Sequence, residues 1–520
     1  MAIVPFGEYL PDLPAYQNPG ATVALNVMPL TTKSYAPFSS LVTVTSAMPN
    51  RCQGGFGAKD YANVGYIFGG DSSHLYIWGM GFIDSFFSQG FFTPGFFIQT
   101  SSGILSWNDI SNPSGYSIGN EGFWNFVQFG NRVIALGTNT NIQSYVLGTS
   151  TKFADLSAAA PQAQFGAVIR DFVMVGNTYD ATDGNVPNKV WWPAIDDPTN
   201  WPTPGTNAAV LVQSDYQVLP EGGAIQGIIG AVGGADGAVF MEEAIYRVSY
   251  VGAPLIFQFD KIEKQKGTRI PGSIINVGPI AFYLGIDGFY AFDGTNSIPI
   301  GNEKIDKTFY RDFDQTYFYR MVSVVDSINK QVLWAYPGQG NNGGNPNKIL
   351  VYNWTSNRWS IVEYEVETFF RSYSTGYTLE DLDNFGTLET LPYSLDSRFW
   401  AGGTVLLTGF DTEHKMGTFT GDTLAATLET GDYDGGNGQR MFTAGIRPII
   451  DGGTITASVG HRDTLGGTIN YTPTTSAGVD GICPQRISAR YSRARINIAA
   501  GGSWTHAIGV EPVIQADGER

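Results

Sequence analysis

The histidines, cysteines and paired carboxylates are the residues of this chain able to do chemistry, and their spacing limits what they can do. His74, His414, His461 and His506 lie far apart, and Cys52 and Cys483 stand alone, so none has the close spacing that holds zinc. The loop GQGNNGG from Gly338 spells G-x-G-x-x-G, but Gly344, Asn345 and Pro346 follow it instead of a helix, so no helix N-terminus is there to receive a phosphate. A flexible inter-strand loop is expected. The acidic pairs Asp196-Asp197 and Glu242-Glu243 suggest glycosidase carboxylates, yet adjacent strand residues point to opposite faces, which favours solvated turn charges. Asp180, Asp183 and Asn185 loosely resemble a calcium loop, but their spacing misses the EF-hand pattern, and a plain turn is expected. The sequence therefore predicts no catalytic residue, cofactor, metal or nucleotide site.

The elements that must position these residues are strands. The chain has 520 residues, 42% of them apolar, 13% aromatic and only 15% charged, which predicts a large ordered core and more than one domain. Its 65 glycines and 27 prolines carry no collagen period and fit many short strands joined by tight turns, an all-β class. A formal charge of −17 argues against gripping nucleic acid by neutralising phosphates. Two cysteines are too few for a disulfide-stapled scaffold, so folding in a reducing compartment is compatible. Neither a secretion signal nor a membrane-spanning run is expected.

From about Arg51 to Tyr364 one pattern recurs: an apolar alternating strand, a Gly/Asn/Asp turn, a second strand, another turn, and a third strand ending on an aromatic. VQFGNRVIALGTNTNIQSYVL, Val127 to Leu147, is the clearest copy. The marker aromatics Tyr145, Trp192, Tyr246, Phe292 and Tyr352 recur roughly every 50 residues, which is propeller spacing. Six copies are recognisable. The expectation is an irregular β-propeller of about six blades over 51–365, since a lone meander cannot bury both faces. Residues 1–50 are turn-rich and predict an arm, 366–423 a connecting segment with a short helix over TLEDLDNF, and 424–520 a C-terminal antiparallel β-sandwich platform domain on which the arm packs.

Two local features stand out. Phe86, Phe87, Phe91, Phe92, Phe96 and Phe97 come in pairs every five residues among Gly, Pro, Ser and Gln, a period of neither helix nor strand. They form either a hairpin packing between blades or a projecting apolar loop for a host envelope or a neighbouring subunit. Arg486, Arg490, Arg493 and Arg495 crowd QRISARYSRARI, in a stretch from 416 to 520 that has arginine but no lysine. Arg493 and Arg495 share a strand face, as Arg486 and Arg490 do if the strand is regular. Either the face is solvated or it makes a ring or adaptor contact, for which the guanidinium fork is well suited.

In the order of its parts the chain resembles the tail nozzle proteins of short-tailed bacteriophages, also called packaged-DNA stabilisation proteins or tail tubular protein B. The likeness rests on the turn-rich arm, the blades with GFYAFDG and ILVYNWTSNRWSI, the stretches TLETLPYSLDSRFWAGG and ATLETG, and the terminal domain with ISARYSRARI. The resemblance implies a non-enzymatic virion structural protein, assembled in the host cytoplasm. It implies a homohexameric ring below an adaptor ring, with tail spikes or fibres as further neighbours, that retains packaged DNA and passes it at genome ejection without reading its sequence. A sixfold multiple of −17 around a channel would let a polyanion slide without sticking. A carbohydrate-binding propeller for receptor recognition is the alternative, because Trp and Tyr can stack sugars. A propeller glycosidase fits less well, since the S-x-D-x-G-x-T-W box common in sialidases is missing.

Overall fold

The computed structural model describes residues 3–80, 105–374, 395, 405–434 and 439–516. Its strands are apolar on both faces wherever two neighbours cover them. In Gln331–Tyr336 every residue is buried, with Val332, Trp334 and Tyr336 entering one core and Leu333 and Ala335 another. Arg132–Leu136 and Phe172–Asp180 divide in the same way: Ile134 and Leu136 meet Val173 and Val175, while Val133 and Ala135 face the opposite side. Strand alternation thus feeds two adjoining cores from one strand, the packing of sheets stacked radially about an axis.

The fold is all-β, an irregular propeller carried on a β-sandwich. Among the described residues the propeller has seven four-stranded blades, not about six. Six are continuous in sequence, with inner strands Gly54–Lys59, Asn125–Phe129, Gln162–Ile169, Ile225–Val232, Ile275–Val277 and Val322–Asp326. The seventh joins Thr368–Tyr373, Val405–Phe410 and Lys415–Thr418 to Val42–Ala47 from the other end of the chain. The strands described within 366–423 therefore belong to a blade instead of a connector, and the last part of the arm belongs to the propeller. No local meander pattern exists for this blade, because its outer strand lies far from the rest in sequence. The helix expected over TLEDLDNF falls outside the described residues.

Blade 7 closes the ring against blade 1, and this seam explains Gly55 and Gly57 of GGFG. A Cβ on Gly55 would lie 2.4 Å from the Phe370 ring, and one on Gly57 would lie 2.6 Å from the Ser372 backbone. Larger residues there would force the two inner strands apart. His414 and Glu367 fasten the same seam. His414 Nδ1 sits 2.6 Å from Glu367 Oε1, and the Cys52 backbone N–H donates to Glu367 Oε2 at 3.1 Å.

The platform is a sandwich of two sheets, as expected, with the arm built into both. One sheet orders Val27–Pro29, Tyr35–Pro37, Ala507–Ala516, Met441–Ile450 and Cys483–Ala489, with Val4–Pro5 added on Ala507–Ala516. The other contains Ala21–Leu25, Ala426–Thr430, Tyr491–Ile498 and Ile455–Arg462, and it does not stop at the domain border. Leu25 pairs in parallel with Ile361 on the outer strand of blade 6, so one sheet runs from platform into propeller. The core is shared as well: Ile446, Ala457, Val459 and Ile496 belong to one cluster with Phe289, Trp334 and Trp359.

A second tie joins the arm to the connection between blades 5 and 6. Asp12 accepts from the backbone N–H groups of Lys307 and Thr308, both at 2.8 Å, at the start of the helix Asp306–Asp312. Beside it, burial pushes the Asp306 carboxyl up to about 6, although the Phe289 N–H it accepts opposes the shift. The folded state thus prefers Asp306 protonated. Its contribution to stability is full below pH 3.8 and is lost as pH rises through about 6, a change on the order of 3 kcal/mol. Asp306→Asn is expected to remove this part of the pH dependence, so that the variant gains on the parent between pH 4 and 7 in urea titrations. Parallel stability curves for the two proteins across that range would refute the assignment.

Candidate functional site

The seven inner strands enclose a cavity of ≈ 1430 Å³, larger than the usual small-molecule pocket. Its wall changes character around the ring. Blades 5 and 6 supply aliphatic surface, including Ile275 and Val322. Blades 1 and 2 supply the half-buried rings of Phe56 and Phe126, stacked with centroids 5.6 Å apart and planes 13° from parallel. Near the starts of the inner strands of blades 2, 3 and 4 stand Asn125, Gln164 and Gln226. The Asn125 side-chain carbonyl accepts from the Gly166 N–H at 3.2 Å, and the Gln164 side-chain carbonyl accepts from the Asn177 amide at 3.1 Å, and among the described residues neither NH2 group has an acceptor.

The charged residues on the described wall are Glu121, Glu242, Arg269 and Arg371, two of each sign. Arg269 reaches Glu243 at 3.1 Å, and Gln226 approaches Glu242 at 3.5 Å. Arg371 differs, because it is exposed between the buried Phe370 and Ser372 on the inner strand of blade 7 and has no ion-pair partner among the described residues.

The arginine-rich segment is a second place where charge gathers. Tyr491–Ile498 puts Arg493 and Arg495 on one face, as alternation predicts, and both find carboxylates within the chain. Arg493 reaches Asp432 through Nε at 2.7 Å and Glu429 through Nη1 at 3.1 Å. Burial opposes the Arg493 charge, but Asp432 and Glu429 outweigh it and raise the pKa. Arg495 Nε donates to Glu429 at 2.6 Å, and its guanidinium lies over the Tyr471 ring at 3.9 Å. Arg462 bonds Asp432, and Thr22 of the arm donates to Glu429 at 2.9 Å. Arg486 and Arg490 are not on one strand face. Arg486 lies in Cys483–Ala489, Arg490 lies in the turn after it, and both are exposed.

The remaining candidates are placed as follows. Asp180 and Asp183 converge, but on Lys189, whose Nζ is 2.7 Å from one and 2.9 Å from the other. A nearly fully buried ammonium therefore sits where a cation would, which accounts for the calcium-like spelling. Asp196 and Asp197 are exposed turn residues. Glu242 lines the cavity while Glu243, which is not on its wall, pairs with Arg269, so that acidic pair does not converge. The loop at Gly338 joins two strands of blade 6, as expected. Among the described residues, no three His, Cys, Asp or Glu side chains gather as a metal site would need.

Sequence reasoning passed over GYSIG, Gly115 to Gly119, which has the G-x-S-x-G spelling of a nucleophile elbow. It lies in the irregular link between blades 1 and 2, no helix follows it, and Ser117 is exposed. Sequence reasoning also passed over Arg371, whose isolation depends on what faces it across the cavity. Phe86, Phe87, Phe91, Phe92, Phe96 and Phe97 lie outside the described residues.

No protein-family model matches the sequence, and no curated protein does. Solved structures do match. The Pan2 WD40 domain of Neurospora crassa is 9% identical over 70% of this chain and 87% of that one, with a TM-score of 0.35. YCF48 bound to D1 peptide is 7% identical over 62% and 84%, with a TM-score of 0.33. A chain of the mitotic checkpoint complex is 8% identical over 75% and 96%, with a TM-score of 0.36.

Proposed function

We propose that the chain is a structural, non-catalytic subunit of a short phage tail, one of six in a distal nozzle ring that retains packaged DNA and forms the channel for its ejection. The observation that carries this reading is the weld between propeller and platform. One sheet crosses the border at Leu25 and Ile361, and one core runs through both parts. A retaining ring has to transmit load without its parts hinging, and an interface of this kind resists domain motion far better than a polar linker does. The arm, the propeller and the terminal sandwich also follow the order that the resemblance to nozzle proteins implies. The exposed Arg486 and Arg490 are the members of the arginine set available to an adaptor ring or a neighbouring subunit.

The test is electron microscopy of particles assembled with and without this chain, with DNA retention measured in parallel. The expected result is a ring of six copies at the distal end of the tail, and loss of packaged DNA when the chain is absent. Particles that lack the chain yet keep their DNA would overturn the proposal, and so would a chain bound as scattered copies on the capsid.

A further inference from the structure

We infer that the central cavity of the propeller is a binding site for an oligosaccharide bearing a carboxylate, with Arg371 as the group that recognises the acid. This does not depend on the nozzle reading, since it concerns what the cavity binds and not where the chain is assembled.

The wall has the two kinds of surface that a sugar ring presents. A pyranose has an apolar face of C–H groups and an edge of hydroxyls. Aliphatic blades 5 and 6 and the half-buried rings of Phe56 and Phe126 suit the first. The amides of Asn125, Gln164 and Gln226 suit the second, and the free NH2 groups of Asn125 and Gln164 are donors for hydroxyl oxygens. Amides on three successive blades form a row, which fits a chain of rings better than a single one. The volume of ≈ 1430 Å³ has room for such a chain.

Arg371 sets the charge of the ligand. Every other charged wall residue is acidic or, like Arg269, already pairs with a carboxylate. The guanidinium of Arg371 has no such partner among the described residues, and its planar fork accepts a carboxylate through two parallel hydrogen bonds. The balanced wall charge argues against a polyanion such as nucleic acid, which would meet Glu121 and Glu242 as well. A chain with one acid group at a time and many hydroxyls meets neither difficulty.

The experiment uses the full chain and isothermal titration with an array of acidic and neutral oligosaccharides, among them a galacturonic acid tetramer and its methyl ester, with tetraglutamate as the peptide control. At least one acidic oligosaccharide is expected to bind. Arg371→Gln should weaken it about tenfold or more, and Arg371→Lys less. The variant should unfold at the same denaturant concentration as the parent, because the side chain is exposed and has no ion-pair partner among the described residues. Any of four outcomes overturns the inference: no acidic oligosaccharide binds, esters bind as well as acids, tetraglutamate binds as well as the sugars, or Arg371→Gln leaves the affinity unchanged.

Discussion

Replacing Arg358 by methionine is expected to lower the unfolding free energy by about 3–5 kcal/mol and to expose the amino-terminal arm to protease. Arg358, on the outer strand of blade 6, is 3% exposed, and among the described residues no carboxylate is one of its partners. Its guanidinium donates to the Thr31 carbonyl at 2.6 Å, to that of Ser34 at 3.3 Å and to that of Gly7. It lies 4.2 Å from the centre of the Tyr35 ring, whose hydroxyl also donates to Gly7. Around it Gln331 and Asn353 donate to the Pro29 carbonyl, and Ser360 donates to that of Val27. Methionine retains most of the packing but leaves three carbonyls without their charged donor. Lysine should restore only part of the loss, since one ammonium cannot span the three acceptors. Urea unfolding and limited proteolysis of the arm measure both effects. A loss below about 1 kcal/mol with the arm still protected would mean that water replaces the guanidinium and that the tie is weak.

Arg493→Ala should be comparably damaging, but in the platform, with a fall on the order of 3–5 kcal/mol. Glu429 and Asp432 have side chains only 2% and 4% exposed, and without Arg493 each loses one of its two arginines, Glu429 keeping Arg495 and Asp432 keeping Arg462. Truncating one member of a buried pair is costly chiefly because the other remains desolvated. The double change Arg486→Ala and Arg490→Ala is expected to alter stability by no more than about 0.5 kcal/mol, since both side chains are exposed. The pair of experiments divides the arginine set. If the exposed pair contacts an adaptor ring, its loss should leave the chain folded while particles assemble without it. If Arg493→Ala unfolds at the same denaturant concentration as the parent, the internal network is not what holds that edge of the sandwich.

Much of the fold was legible in the sequence because it depends on neighbours along the chain. Alternation in VIAL and FVMV, turns at Gly130-Asn131 and the recurrence of strand-ending aromatics are local properties, and they locate blades 1 to 6 and the strands of the terminal domain. The placing of the arm on the platform was legible for a related reason, since a segment without periodicity of its own must borrow partners. What the sequence determined by itself was therefore the class of element and the order of the parts.

Only the tertiary structure decided which distant residues meet. The seventh blade pairs Val42–Ala47 with Lys415–Thr418 across most of the chain, a contact that no window of sequence contains. Gly55 and Gly57 of GGFG were uninformative until Phe370 and Ser372 stood against them. The functional candidates depended on the same kind of contact. Asp180 and Asp183 only loosely resembled a calcium loop in sequence, and it is Lys189 that fills the gap between them, while Arg493 looked available until Glu429 and Asp432 enclosed it. Arg371 shows the converse, a charge with nothing in its own segment to distinguish it, left without an ion-pair partner among the described residues of the walls around it. The physical reason is the same in each case. Strand propensity and turn type follow from short-range sterics along the backbone, whereas the state of a charge is set by desolvation and by the partner across space.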